Sequence, residues 1–323
     1  MNITVIGCGR WGSFLAWYMN KIGNRVTIYG RESSTSFQSL KNTRKNEYIE
    51  LQADIEFSSD LTYSLENADT VIISIGAQGL PDLAESIKFA TPLANQKEYI
   101  LCMKGIVENS GKRLSEIIID TLGVKTKCAV WLGPGHVEDF SAGIPNCMIM
   151  CSSDEGYAHE LCSRFGSSLI RFYSSSDLIG CELGAATKNV MGIAAGILEG
   201  MGYTSLKGSL MARGPREIAR LAEAMGGNEK SIFGLCHIGD YEATLFSHHS
   251  HNRRYGEAFI KKEPYDALAE GYYTVCAIVK LADQYKVDLP ICRAVYALLY
   301  ENASPKTVLS ELFERKFRNE FYR

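Results

Sequence analysis

Residues 2–12 read NITVIGCGRWG, and this stretch decides the fold. Asn2 to Ile6 is a short β-branched run, Gly7, Gly9 and Gly12 follow at once in G-x-G-x-x-G spacing, and Phe14 to Ile22 carries the apolar spacing of a helix. In the order strand, glycine turn, helix, this spacing binds a dinucleotide. The first glycine makes the tight turn and the second lets a pyrophosphate approach backbone. The third lets helix pack on strand, while the helix N-terminus faces the phosphates. Working outward, 25–29, 70–75, 99–103, 127–132, 147–150 and 169–173 are near-continuous apolar runs alternating with helical segments. That alternation predicts a parallel sheet covered on both faces. Ligands of such sheets bind beyond the carboxyl ends of the strands. Two loops fall there, Lys104-Gly105 and Gly133-Pro134-Gly135-His136, and Lys104 is placed to reach a bound anion. The second strand ends in Tyr29-Gly30-Arg31-Glu32. Arg31 at that tip suits a 2′-phosphate and favours NADP over NAD; the alternative is a solvated Arg31 with Glu32 on the ribose.

A chain of 323 residues suggests two domains, and its 46% hydrophobic content is ample for two cores. A net charge of −3 leaves no footprint for nucleic acid or an anionic membrane surface. No charge-free apolar run approaches the roughly 18 residues of a membrane helix, and the chain opens directly on a strand with no secretory leader pattern. Ten cysteines without CxxC pairs read as reduced, mostly buried thiols. A cytoplasmic protein is the expectation.

After Asp177 the strand signal stops, which divides the chain at 1–177 and 178–323, the second part all helical. GCELGAATKNVMGIAAGILEGMG, residues 180–202, reads as one helix packed almost wholly in protein, its glycines and alanines admitting close backbone neighbours. Into it the sequence sets one cation, Lys188. Desolvation lowers a lysine's pKa and makes it a proton donor or acceptor near neutrality; the structural alternatives are an ion pair with Glu182 or a snorkelling chain. Residues 205–225 read as a second helix with a kink or break at Gly214-Pro215. Helices follow over 270–285, 290–300 and from a Ser304 cap with Pro305 in its first turn. Between them lies a polar, glycine-rich segment, 234–254, with four of the six histidines. Four histidines raise zinc as a ligand, but neither HExxH nor CxxC accompanies them, and no metal is expected. Ser250, Asn252 and Arg253 cluster where a helix begins, which reads as an anion site, with an exposed basic helix start as the alternative.

Taken in order, GCGRWG, VTIYGR, MKGIVE, GPGHVED, GCELGAATKNVMGIAAGI, ARGPREIARL, GLCHIGD, SHHSHNRRYGEAF and EGYYTVCAI resemble the NAD(P)-dependent glycerol-3-phosphate dehydrogenases of bacterial type over nearly the whole length. The resemblance implies an α/β fold, an N-terminal Rossmann-type dinucleotide-binding domain followed by an all-α C-terminal domain. It also implies reduction of dihydroxyacetone phosphate to sn-glycerol 3-phosphate with NADPH or NADH, feeding glycerophospholipid synthesis, and leaves a homodimer open. By resemblance Lys188 is the catalytic lysine, with Lys104 and Asp240 beside it. Gly135, Ser250, His251, Asn252 and Arg253 fall at substrate positions. Gly7, Gly9, Arg10, Trp11, Gly12, Arg31, Lys104, Gly133, Val137, His251 and Glu270 fall at cofactor positions. Two positions depart from the family pattern, His251 where Arg is usual and Gly135 where Ser or Thr is usual. An Arg-to-His change loses a permanent bidentate phosphate clamp. Two rival readings remain: a dehydrogenase of another small anionic 2-ketone, and an NADP-binding regulator without turnover, whose mark would be loss of Lys188 or Asp240.

Overall fold

The computed structural model describes residues 1–317 and 319–320. The glycine turn links β1 (Asn2–Ile6) to α1 (Arg10–Lys21), and four of β1's five residues are buried. The chain continues through β2 (Arg25–Tyr29), α2 (Thr35–Thr43), β3 (Glu56–Ser58), α3 (Leu61–Glu66), β4 (Thr70–Ile73), α4 (Leu80–Ala90) and β5 (Glu98–Leu101). After α5 (Leu114–Leu122) come β6 (Lys127–Leu132), α6 (Val137–Ser141), β7 (Asn146–Cys151), α7 (Glu155–Phe165) and β8 (Ile170–Ser175). Among the described residues these strands form one eight-stranded sheet in the order β3-β2-β1-β4-β5-β6-β7-β8. The order reverses at β1, the topological switch point where dinucleotides bind.

The sheet corrects the expectation of purely parallel pairing: β7 runs antiparallel to β6, with Trp131 opposite Met150, and β8 follows β7 in parallel. The single five-residue turn of α6 does not carry the chain back across the sheet, as a parallel crossover must. The short strand β3 carries little sequence signal, since only one of its three residues is buried. The core under this sheet gathers Val5, Phe14, Ile28, Ile72, Trp131 and Phe140.

The structure divides into two compact units, Met1–Met103 with Leu114–Leu178, and Lys104–Arg113 with the described residues from Ile179 on. The second unit is built on α8 (Leu178–Gly200), buried without interruption from Gly180 to Ile197. Around it lie α9 (Lys207–Ala224), α10 (Glu229–Ile232), α11 (His251–Lys261), α12 (Glu270–Tyr285), α13 (Pro290–Tyr300) and α14 (Pro305–Phe313). Helix α9 passes through Pro215 without the expected break. A Cβ on Gly214 would sit 2.7 Å from Met191 Sδ, so this point of α9 lies directly on α8, and burial of Leu210, Ile218 and Leu221 outweighs the roughly 3 kcal/mol an interior proline costs. Ser304 stands at the N-cap of α14 with Pro305 at N1, without a side-chain capping bond. No helix among the described residues is long and apolar enough to cross a membrane.

Candidate active site

The site in the second unit grows from α8. Lys188, 6% exposed, points its ammonium at Asp240, 2% exposed, with Nζ 2.8 Å from Oδ2. The same oxygen receives Lys104 Nζ at 2.6 Å. One buried carboxylate thus serves two ammoniums, one sealed and one a quarter open to solvent (28%). Lys188 Nζ also donates to Thr244 Oγ1 at 2.8 Å, and that hydroxyl donates to the Asp240 carbonyl at 2.7 Å. The alternative partner for Lys188, Glu182, is engaged by Arg113 at 2.7 Å.

These contacts set the protonation states. Burial brings the Lys188 ammonium down to about 8, with Asp240 opposing and Lys104 adding to the fall. Burial pushes the Asp240 carboxyl up, but the two ammoniums outweigh it, and it lies below the usual carboxylate value. Behind the pair, burial drives His237 down to about 4 and keeps it neutral. Its Nδ1 lies 2.7 Å from the Gly184 carbonyl and its Nε2 2.7 Å from Tyr241 Oη. A carbonyl only accepts, so Nδ1 carries the proton and Nε2 accepts from the tyrosine. His237 thereby braces the turn bearing Asp240 against α8.

Ser250, His251, Asn252 and Arg253 do gather at the start of α11, but their side chains diverge. Ser250 caps the helix, accepting from Arg253 N at 3.3 Å. His251 Nδ1 lies 2.9 Å from Tyr265 Oη, and Asn252 Oδ1 accepts from Gly271 N at 2.9 Å, tying α11 to the first turn of α12, where Glu270 sits. Arg253, 5% exposed, turns inward: it pairs with Glu199, lies 3.2 Å from Glu257 and donates Nε to the Ser247 carbonyl at 3.1 Å. A Cβ on Gly192 would meet Asn252 Cβ at 3.1 Å, so Asn252 lies one helical turn, about 6 Å, along α8 from Lys188.

In the first unit the glycine turn has the shape a pyrophosphate requires. Gly7 takes φ +112, and a Cβ there would lie 2.1 Å from the Ser74 carbonyl oxygen; one on Gly12 would lie 2.2 Å from the Gly7 carbonyl oxygen. A Cβ on Gly9 would meet nothing within 4 Å, which leaves backbone open to a ligand. Arg10 pairs with Glu138 beside Val137 and lies 4.9 Å over the Tyr48 ring, while Trp11 packs on Phe14. Arg31 follows the end of β2, exposed. Glu32 is held below its usual value by the Ser59 hydroxyl, then by Gln38. Gly133 takes φ +120 after β6, and Gly135 takes φ +152 with the Phe140 ring 2.3 Å from where a Cβ would be. Serine has no room at 135 unless Phe140 moves.

The model for the NAD-dependent glycerol-3-phosphate dehydrogenase N-terminus matches residues 2–158, and that for the C-terminus matches 177–310. The chain belongs to this family. A glycerol-3-phosphate dehydrogenase [NAD(P)+] of Prosthecochloris aestuarii is 34% identical over 98% of both chains, and one of Clostridium botulinum 32% over 99% of both. The crystal structure of glycerol-3-phosphate dehydrogenase from Coxiella burnetii superposes with a TM-score of 0.89 at 25% identity, covering 97% of this chain and 99% of that one. The sequence names Lys104, Lys188 and Asp240, which the structure brings together, but does not single out Thr244 or His237. Thr244 lies four residues beyond Asp240, and that spacing was the available signal. Nothing local marks His237.

Proposed function

We propose that this chain reduces dihydroxyacetone phosphate to sn-glycerol 3-phosphate with NADPH or NADH, as the names of its relatives suggest. One observation carries the chemistry: a desolvated ammonium at Lys188, held on a carboxylate that it shares with Lys104. Bound reduced nicotinamide supplies hydride to the ketone carbon. Lys188 Nζ hydrogen-bonds the ketone oxygen and passes it a proton as charge develops there. Asp240 keeps that nitrogen protonated and aimed, Thr244 fixes its third direction, and Lys104 adds positive potential. Asn252, His251 and the α11 N-terminus receive the phosphate. Arg10, Trp11, Gly133 and Val137 border the cofactor, and Arg31 favours the 2′-phosphate of NADP. A homodimer and a place ahead of glycerophospholipid synthesis complete the reading; sedimentation velocity checks the first.

Decay of NADPH absorbance with dihydroxyacetone phosphate tests this directly. Lys188→Ala retains NADPH binding and loses about 10²–10³ in turnover; near-normal kcat in that variant refutes the assignment. A second reading, another small anionic 2-ketone as substrate, is favoured by Gly135, where the Phe140 ring excludes the family's usual hydroxyl. Sulfonate, phosphonate and unphosphorylated analogues of the substrate separate the two.

A further inference from the structure

Glu199 lies on α8, eleven positions beyond Lys188, where the sequence gives no hint of a role. Its carboxylate receives two buried cations: Lys207, whose side chain is 5% exposed, and Arg253, at 6%. Each cation has a second task. Lys207 Nζ donates to the Leu245 carbonyl at 3.1 Å, and Arg253 Nε donates to the Ser247 carbonyl at 3.1 Å. Those carbonyls flank Phe246 and close the π-helical turn Glu242–Phe246. Thr244 stands within that turn and presents the hydroxyl that Lys188 uses.

We propose that Glu199 is a positioning residue for Lys188, acting through Lys207 and Arg253 to clamp the turn that carries Thr244. The proposal rests on Lys188 as the proton donor of the reduction. Helix α8 supplies both ends of the device. A Cβ at Gly192 would meet Thr244 Cγ2 at 2.9 Å, and one at Gly196 would meet the Arg253 carbonyl oxygen at 1.9 Å, so turn and α11 rest directly on the helix. Lys188, Gly192 and Gly196 are spaced i, i+4, i+8 along one face. Arg253 is then a strut inside the protein, its guanidinium engaged by Glu199, Glu257 and a carbonyl, and not a phosphate ligand. A clamp made of charge fits this place because its bonds are short and directional, and a misplacement of about 1 Å at a reacting group costs about 10²-fold in rate.

The test compares Glu199→Gln, Arg253→Gln and their double variant in NADPH oxidation with dihydroxyacetone phosphate across pH. In Glu199→Gln, kcat falls about tenfold or more, while the KM of the ketone and NADPH binding change little. The pH at which reduction fails on the alkaline side moves down, because Thr244 no longer accepts from the charged amine. Asp240 and Lys104, which face that amine, and neutral His237 behind them, are untouched, so general destabilisation does not produce this movement. The double variant loses little more than either single change, because one clamp is broken in all three. Glu199→Gln strands two buried cations and can unfold. Glu199→Met/Lys207→Met/Arg253→Met replaces the knot with apolar groups, an exchange that buried ion pairs tolerate, and is expected to fold and to show the same kcat and pH changes. Normal kcat and an unmoved alkaline limb in a folded variant overturn the proposal. So does a raised ketone KM in Arg253→Gln that adds independently to the effect of Glu199→Gln, which would make Arg253 a substrate contact. Failure of wild-type turnover, or activity in Lys188→Ala, removes the underlying reading instead and is read separately.

Discussion

Asp240→Asn isolates the charge on which the site turns. Two opposite charges 2.8 Å apart attract by about 6 kcal/mol at an effective dielectric of about 20. Asparagine keeps the shape of the side chain and one acceptor oxygen but removes this attraction, leaving two ammoniums to repel across a neutral amide. An opposite charge at contact distance holds a titrating group by about one to three pH units. Lys188 already lies near 8 through burial, so the loss lowers it further. With the wild-type amine near 8, a fall of about two pH units turns a mostly protonated group at about pH 7.5 into a mostly neutral one, and reduction, which needs the proton, slows by about tenfold or more. The assay is the initial rate of NADPH oxidation with dihydroxyacetone phosphate between pH 5.5 and 9, paired with the reverse oxidation of glycerol 3-phosphate. The alkaline limb of reduction moves down by one to three pH units in Asp240→Asn, with rate recovered toward pH 6. The reverse reaction, which needs the neutral amine, is impaired less at neutral pH. A limb that stays in place, with activity lowered equally at every pH and in both directions, refutes the reasoning.

Gly135→Ser places a Cβ 2.3 Å from the Phe140 ring on backbone at φ +152; it lowers stability by about 1–3 kcal/mol, read as a fall in Tm, without tightening substrate. His251→Arg restores a permanent fork at the start of α11 and lowers the KM for dihydroxyacetone phosphate about tenfold or more, once the new side chain displaces the Tyr265 contact; an unchanged KM places the phosphate elsewhere. Glu217 is fully buried against the start of α13, where it accepts from Ile291 N and Cys292 N at 2.8 and 2.9 Å. Burial raises it to about 7 despite those bonds. The folded state therefore holds this proton more tightly than the unfolded chain between about pH 4.5 and 7, and stability declines as pH rises through that window. Glu217→Gln removes the decline: its amide NH2 faces a backbone N–H and one of the two bonds is lost, so its Tm lies below wild type near pH 5. The gap narrows or reverses toward pH 8, where ionised Glu217 costs wild type up to about 3 kcal/mol.

What the sequence made legible was local. Asn2–Gly12 carries strand, turn and helix in contiguous residues, and α8 announces itself by a long run of small and apolar positions around one lysine. Strand direction was not legible, because side-chain alternation is the same in β7 whichever way it runs, and the short α6 connection decides it. Lys188 and Asp240 stand 52 positions apart and Lys104 and Asp240 136 apart, so the residues could be named from family motifs, but their sharing of one oxygen could not. Arg253 shows the limit most clearly. Beside Ser250 and Asn252 at a helix start it reads as an anion ligand, yet the fold brings Glu199 to it from 54 positions away. Local spacing reveals where a side chain begins, while long-range packing decides where its charge ends.

The same packing explains why an apolar helix carries the site. A cation on a surface helix keeps its water and its ordinary pKa. At Lys188 the water is excluded because the face one and two turns further on has no side chains: Gly192 and Gly196 let the backbone of the 242–253 segment settle onto α8, with the Arg253 carbonyl oxygen where a Cβ of residue 196 would be. Dryness at 188 is therefore produced at 192 and 196. A larger residue at Gly196 lifts α11 and the Thr244 turn together and readmits water around the ammonium; its rehydration outweighs the lost Thr244 bond and returns Lys188 toward the behaviour of a free lysine. Its reduction then persists to higher pH at a lower maximal rate, the opposite displacement of the alkaline limb from that of Asp240→Asn.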